Sequence, residues 1–171
     1  MRIDPKVEKA TRDAFNLAVK RRLEEIPQKL GELGDDAGLR RAVELCMLVA
    51  GYVAVDVCGM EKPTQADLYK IADNMIKVTE SFEFDEEKLK AYLTRVVFGP
   101  DALLQVLEDQ RDATYVPLFT AASMIVTFCP KGQNPWQYLD AIEQATEMAT
   151  ELPSFALPAA VYQGTRASVK S

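Results

Sequence analysis

The sequence predicts an all-α fold: a single-domain bundle of about seven helices, two of them apolar and central, followed by an extended C-terminal tail. Three observations predict it. Apolar residues recur at helical spacing through most of residues 5–151. Helix-starting and helix-stopping residues punctuate the chain at the expected intervals. Strand signals are poor, because the best candidate, "TYVPLF", contains Pro117. Residues 1–152 form the helical domain in this reading, and residues 153–171 form the tail.

The first helical segment, 5–33, opens with Asp4 as N-cap and Pro5 in the first turn. Val7, Ala10, Ala14, Leu17, Ala18 and Leu23 keep helical spacing, and Pro27 is expected to break or kink the segment. Gly34-Asp35-Asp36 then makes a turn. The second helix, about Ala37 to Cys58, is apolar around most of its circumference, which suits the centre of a bundle. Gly51 lies inside it, and Gly59 is a natural terminator.

Thr64 restarts the chain, with Asp67 three residues on in the manner of a capping box. That helix reaches about Glu80. Asp85 caps the next, whose face is Leu89, Tyr92, Leu93, Val96 and Val97, and Gly99-Pro100 stops it. A helix from about Asp101 to Arg111 follows. Asp112 or Thr114 should then cap "PLFTAASMIVTFC", with Pro117 tolerated near the first turn. This second apolar helix packs on the first, so Leu48, Val49, Tyr52, Val53, Phe119, Ala122, Ile125 and Val126 are the expected core. Asn134, Pro135 and Gln137 start the last helix, to about Glu151. The tail has prolines, a glycine and no helical stripe.

Composition excludes several function classes. The chain has 171 residues, 48% hydrophobic and 27% charged, enough for a real core. A net charge of −6 gives no electrostatic footprint for nucleic acid. The basic run Lys20-Arg21-Arg22 is followed at once by Glu24 and Glu25 and reads as a solvated helix face. The charged start "MRIDPKVEKATRDAF" does not resemble a signal peptide, and no apolar run approaches the ~20 residues of a membrane span. A cytoplasmic location is expected, with Cys46, Cys58 and Cys129 as unpaired, buried thiols. There is no histidine, so neither a Ser-His-Asp nor a Cys-His unit can be assembled.

The stretch "FCPKGQNPWQYL", 128–139, reads as a joint between helices. Placed under "VDVCGMEKPTQADLYKI" (55–71), "VTFCPKGQNPWQYLDAI" (126–142) aligns Cys58 with Cys129, Leu68 with Leu139 and Ile71 with Ile142, an offset of 71 residues. Trp136 would pack back on the bundle from the first turn of the last helix.

The segments "AVDVCGMEKPTQADLYKIA" (54–72), "SFEFDEEKLKAYL" (81–93) and "VLEDQRDATYVPLFTAASMIVTFCPKGQNPWQYLDAI" (106–142) resemble the tellurite-resistance TerB family in the order of their elements. The resemblance implies an all-helical fold with two related helix–loop–helix joints, lying within about residues 42–150. The family's joints carry Asp-Gly followed by acids that can hold a cation. Here Cys58-Gly59 and Cys129-Pro130-Lys131-Gly132 stand instead, with Asp56 before the first. The resemblance therefore implies a weakened or lost metal site.

The remaining candidates for chemistry are sparse. Glu83, Asp85, Glu86 and Glu87 are weak metal candidates without the spacing of a calcium loop, and they also suit an acidic helix N-terminus. Lys131 near Cys129 could lower a thiol pKa, but no base accompanies them. "GELGDDAG" lacks the Lys-Ser/Thr of a phosphate loop. No catalytic residue and no cofactor is assigned. The expectation is a non-enzymatic interaction module, an adaptor, assembly factor or inhibitor/immunity-type protein, with a protein partner or self-association. Phe155, Leu157, Val161 and Tyr162 of the tail are its candidate contacts. A TerB-like stress-response module is the alternative.

Overall fold

The computed structural model describes residues 2–59, 62–78, 85–98 and 110–148. Seven α-helices lie among them: α1 Pro5–Val19, α2 Ile26–Gly31, α3 Asp36–Val57, α4 Gln65–Val78, α5 Glu86–Phe98, α6 Gln110–Thr127 and α7 Pro135–Met148. A 3-10 turn, Leu23–Glu25, precedes α2. The described residues contain no strand. None of their helices is long and apolar enough to cross a membrane. The all-α expectation holds. The helix expected from Asp101 lies outside the described residues up to Asp109, and so does the tail 153–171 with Phe155, Leu157, Val161 and Tyr162.

The caps follow the local sequence. Asp4 Oδ1 accepts from the Lys6 N–H at 2.9 Å, and Pro5 occupies the first turn, where its missing N–H costs no helical bond. Asp35 Oδ1 accepts from the Gly38 N–H at 2.6 Å. A Cβ on Gly38 would sit 3.0 Å from Leu33 Cβ and 3.1 Å from that carboxylate, so glycine lets the cap close. Asp35 thus starts α3 one residue earlier than its spacing suggests.

The break after α1 corrects the expectation at Pro27. The Arg22 N–H bonds Leu17 O at 2.8 Å and the Arg21 N–H bonds Ala18 O at 3.1 Å, the paired bonds of a Schellman terminator. Its left-handed position, usually glycine, is Arg21 with φ +60°. Lys20-Arg21-Arg22 is therefore an exposed helix end and not a helix face. Cations there meet the negative end of the helix dipole. Leu23, beyond the break, leaves the apolar stripe and is exposed. Pro27 falls in the first turn of α2, which it tolerates.

A second correction concerns α6. It runs without interruption from Gln110, so Asp112 and Thr114 lie inside it rather than capping it. Pro117 is its eighth residue and is buried. The loss of one backbone bond is accepted in a helix held by tertiary packing on both sides.

The core forms around α3 and α6, which pack on each other more extensively than any other pair. Leu48, Val49, Tyr52, Val53, Ala122 and Ile125 are buried as expected. Phe119 is only partly buried, and Val126 is exposed because it sits one residue before α6 ends. α1 crosses both central helices, and α4 and α5 form a hairpin against them. Lys90 ties that hairpin, 3.6 Å from Asp73 and 2.8 Å from Glu86, with its ammonium 5.0 Å above the Tyr69 ring.

Candidate functional site

The two joints lie at the same end of the bundle. Tyr138 Oη, in α7 just past the second joint, donates to Asp56 Oδ2 at 2.7 Å, in the last turn of α3 just before the first. The ends of α3 and α6 therefore point the same way. The Tyr52 and Tyr138 rings meet edge to face, with centroids 6.4 Å apart, and brace this tie. Burial and the bond to Asp56 push the Tyr138 hydroxyl far up, so it remains a donor. α5 returns to the same end, since Lys62 in the first joint places its ammonium 5.0 Å from the Phe98 ring.

Both following helices start with a reciprocal capping box. The Asp67 N–H bonds Thr64 Oγ1 at 3.2 Å, and the Thr64 N–H bonds Asp67 Oδ2 at 2.9 Å. The Gln137 N–H bonds Asn134 Oδ1 at 2.8 Å, and the Asn134 N–H bonds Gln137 Oε1 at 3.0 Å. The burial pattern also repeats at the offset of 71. Leu68, Ile71, Ala72 and Met75 are buried, and so are Leu139, Ile142, Glu143 and Thr146. Trp136 packs against the core from the first turn of α7, as its position suggests.

The loops themselves differ. Gly59 closes the first helix with φ +66°. In the second, the Gln133 N–H bonds Pro130 O at 3.2 Å across a four-residue turn. Gly132, with φ +86°, takes the third position that a type II turn reserves for such a residue.

All three cysteines are free thiols. Cys46 is fully buried and its pKa is raised by that burial. Cys58 and Cys129 are only half-buried, less than expected. Cys129 Sγ lies 3.0 Å from Gln133 O, where the thiol donates across the turn. Burial pushes Cys129 up, and burial followed by the charge of Asp67 pushes Cys58 up. Both shifts run opposite to nucleophile activation.

Of the weak metal candidates, Glu83 lies outside the described residues. Asp85 Oδ1 caps α5 by accepting the Glu87 N–H at 3.0 Å, Glu86 bonds Lys90, and Glu87 is exposed. Among the described residues no group of three or more His, Cys, Asp or Glu side chains is placed to hold a metal ion. A groove of about 240 Å³ runs between the N-terminal segment and α3, lined by Ile3, Val7, Leu45 and Leu48 with Arg2, Arg41, Asp4 and Glu44. Its two cations and two anions balance.

Sequence reading missed the polar cluster between α1 and α7. Arg12 reaches Glu8 on its own helix and both Asp140 and Glu143 on α7. The only local signal was Arg12 four residues after Glu8. No protein-family model, no curated protein and no solved structure matches this chain.

Proposed function

We propose that the protein is a non-enzymatic, cytoplasmic, all-helical interaction module, acting as an adaptor, assembly factor or inhibitor/immunity-type protein of the kind that phages and mobile elements carry. One observation carries this reading. The end of the bundle where the joints converge exposes large apolar side chains: Phe98 at 46%, Val57 at 41% and Val126 at 38%. The Asp56–Tyr138 bond and the edge-to-face pair of Tyr52 and Tyr138 hold the ends of α3 and α7 in fixed relation. Rigid apolar groups at the end of a framework suit recognition of a protein surface, because little side-chain or backbone freedom is lost on docking. The tail residues Phe155, Leu157, Val161 and Tyr162 supply further apolar contacts in this reading.

The test is affinity capture from the source cell with the full chain and a Val57→Asp/Phe98→Asp variant, followed by quantitative identification of co-purifying proteins. The expected result is a specific partner lost by the variant at unchanged melting temperature. Retention of the same partners by the variant counts against the reading.

A second reading, a TerB-like stress-response module with weak or lost divalent-cation binding, draws support from the two joints at one end and their matched burial. Calorimetric titration with calcium tests the form of this reading that retains the cation: saturable heat at micromolar to millimolar calcium favours it over the interaction module.

A further inference from the structure

The contact between α1 and α7 brings one guanidinium against three carboxylates. Arg12 Nη2 donates to Glu143 Oε2 at 2.9 Å and to Asp140 Oδ1. Arg12 Nε donates to Glu8 Oε1 at 2.9 Å. One positive charge thus faces three formal negative charges. Asp140 is well exposed and Glu8 is about one-third exposed, so water screens both. Glu143 is different. It is 9% exposed, and its Oε1 is shut from solvent without a hydrogen-bond donor. Glu8 and Glu143 converge on the same guanidinium, each with an oxygen 2.9 Å from it. Two carboxylates so placed share the site comfortably when one of them holds a proton.

Among the described residues, Arg12 is the cation that acts on Glu143. α1 presents Glu8 and Arg12. α7 itself carries Asp140 and, one turn beyond Glu143, Glu147, whose Oε1 accepts from the Ile3 N–H at 3.4 Å. α6 has no Asp, Glu, Lys or Arg from Thr114 to Thr127. α3 sets Asp56 against α7, and that carboxylate is bonded to Tyr138 Oη near the other end of the helix.

We infer that Glu143 is the proton-sensitive member of a clasp fastening α7 to α1. With its proton it shares a hydrogen bond with Glu8. Without it, the largely buried Glu143 carboxylate competes with Glu8 for a single guanidinium. Arg12 holds the cluster together in both states, because its guanidinium stays charged throughout. α7 also carries Trp136 and Tyr138 to the joint end, so the clasp sets how firmly that end is held.

The direction of titration agrees. Burial raises Glu143 from 4.5 to about 7; Arg12 opposes the rise and Glu8 adds to it. A carboxyl whose folded pKa is raised contributes stability that is fully present below its unfolded value, here 4.5. That contribution is lost as pH rises through about 7.

The experiment is a carbon-13 carboxyl titration of the full chain, with hydrogen-exchange protection of the α7 amides across about pH 5 to 8. The Glu143 resonance should titrate near 7. Protection of α7 should fall by up to about tenfold per pH unit between pH 5 and 7 and then level off. Glu143→Gln, which keeps a donor in place of the shared proton, should flatten the profile and preserve α7 protection at pH 8. A Glu143 midpoint below about 5 in the unmodified chain overturns the proposal, whatever the variant does. So does a Glu143→Gln profile parallel to that of the unmodified chain.

Discussion

The two joints are built alike in their helices and differently in their turns. Each follows an apolar central helix, each leads into a helix opened by a reciprocal capping box, and each places its next buried side chains in the same register. Yet left-handed Gly59 follows α3 within two residues, whereas beyond α6 a type II turn folds around Gly132 with the Cys129 thiol bonded across it. The difference shows where the repeat resides. Packing against α3 and α6 fixes which faces of α4 and α7 are buried, whereas a turn has only to deliver the chain to its cap.

If packing defines the repeat, equivalent core positions should respond alike. Leu68→Ala and Leu139→Ala remove fully buried side chains at matched positions. Each should cost about 2–5 kcal/mol in urea denaturation, from lost burial plus an unfilled cavity. A cost below about 1 kcal/mol at one site and a normal cost at the other breaks the equivalence.

The next comparison concerns the one bond that links the joints directly. Tyr138→Phe leaves the ring contact with Tyr52 and removes only the hydroxyl that Asp56 accepts. Hydrogen bonds to charged groups are worth about 1.5–3 kcal/mol, and that is the expected loss. Val57 and Trp136 should then show altered side-chain dynamics by NMR while α5 stays unchanged. A neutral Tyr138→Phe would mean that the ends of α3 and α7 are held by ring packing alone.

Much of this was legible in the chain. Cap residues announce themselves because their chemistry is local: Asp4, Thr64, Asp85 and Asn134 all start helices where their spacing places them. The two apolar helices were equally plain, since a helix apolar nearly all round has no solvent face. What misled was chemistry that tertiary packing overrides. Arg21 adopts a left-handed conformation that marks a helix end when the residue is glycine, so the break after α1 carried no sequence signal. Pro117 sits in the middle of α6, where a local reading ends or starts a helix. The Arg12 cluster joins residues about 130 positions apart, so no spacing rule reaches it. Asp56 was legible as a carboxylate beside the first joint, but its bond to Tyr138 becomes visible only once α3 and α7 are placed together.

The smallest expected effect separates the two capping boxes by their charge. Thr64→Ala and Asn134→Ala should each cost about 1 kcal/mol at neutral pH, because each removes the side-chain acceptor for a first-turn N–H. The boxes diverge in acid. Asp67 closes the first box as a carboxylate, and its pKa is lowered by the backbone N–H of Thr64, then by the Thr64 side chain. A carboxylate with a lowered folded pKa contributes stability above its unfolded value and loses it as pH falls through the folded one. Gln137 closes the second box without any titrating group. Below the ordinary carboxylate range the first box therefore loses its ionised acceptor and the second keeps both bonds. Denaturant titrations of both variants and the unmodified chain, at neutral pH and about pH 3, resolve this. The Thr64→Ala cost should shrink on acidification while the Asn134→Ala cost holds steady. Equal shrinkage at both sites would mean that acid weakens packing at the joint end as a whole, and that the charge on Asp67 makes no difference to its helix.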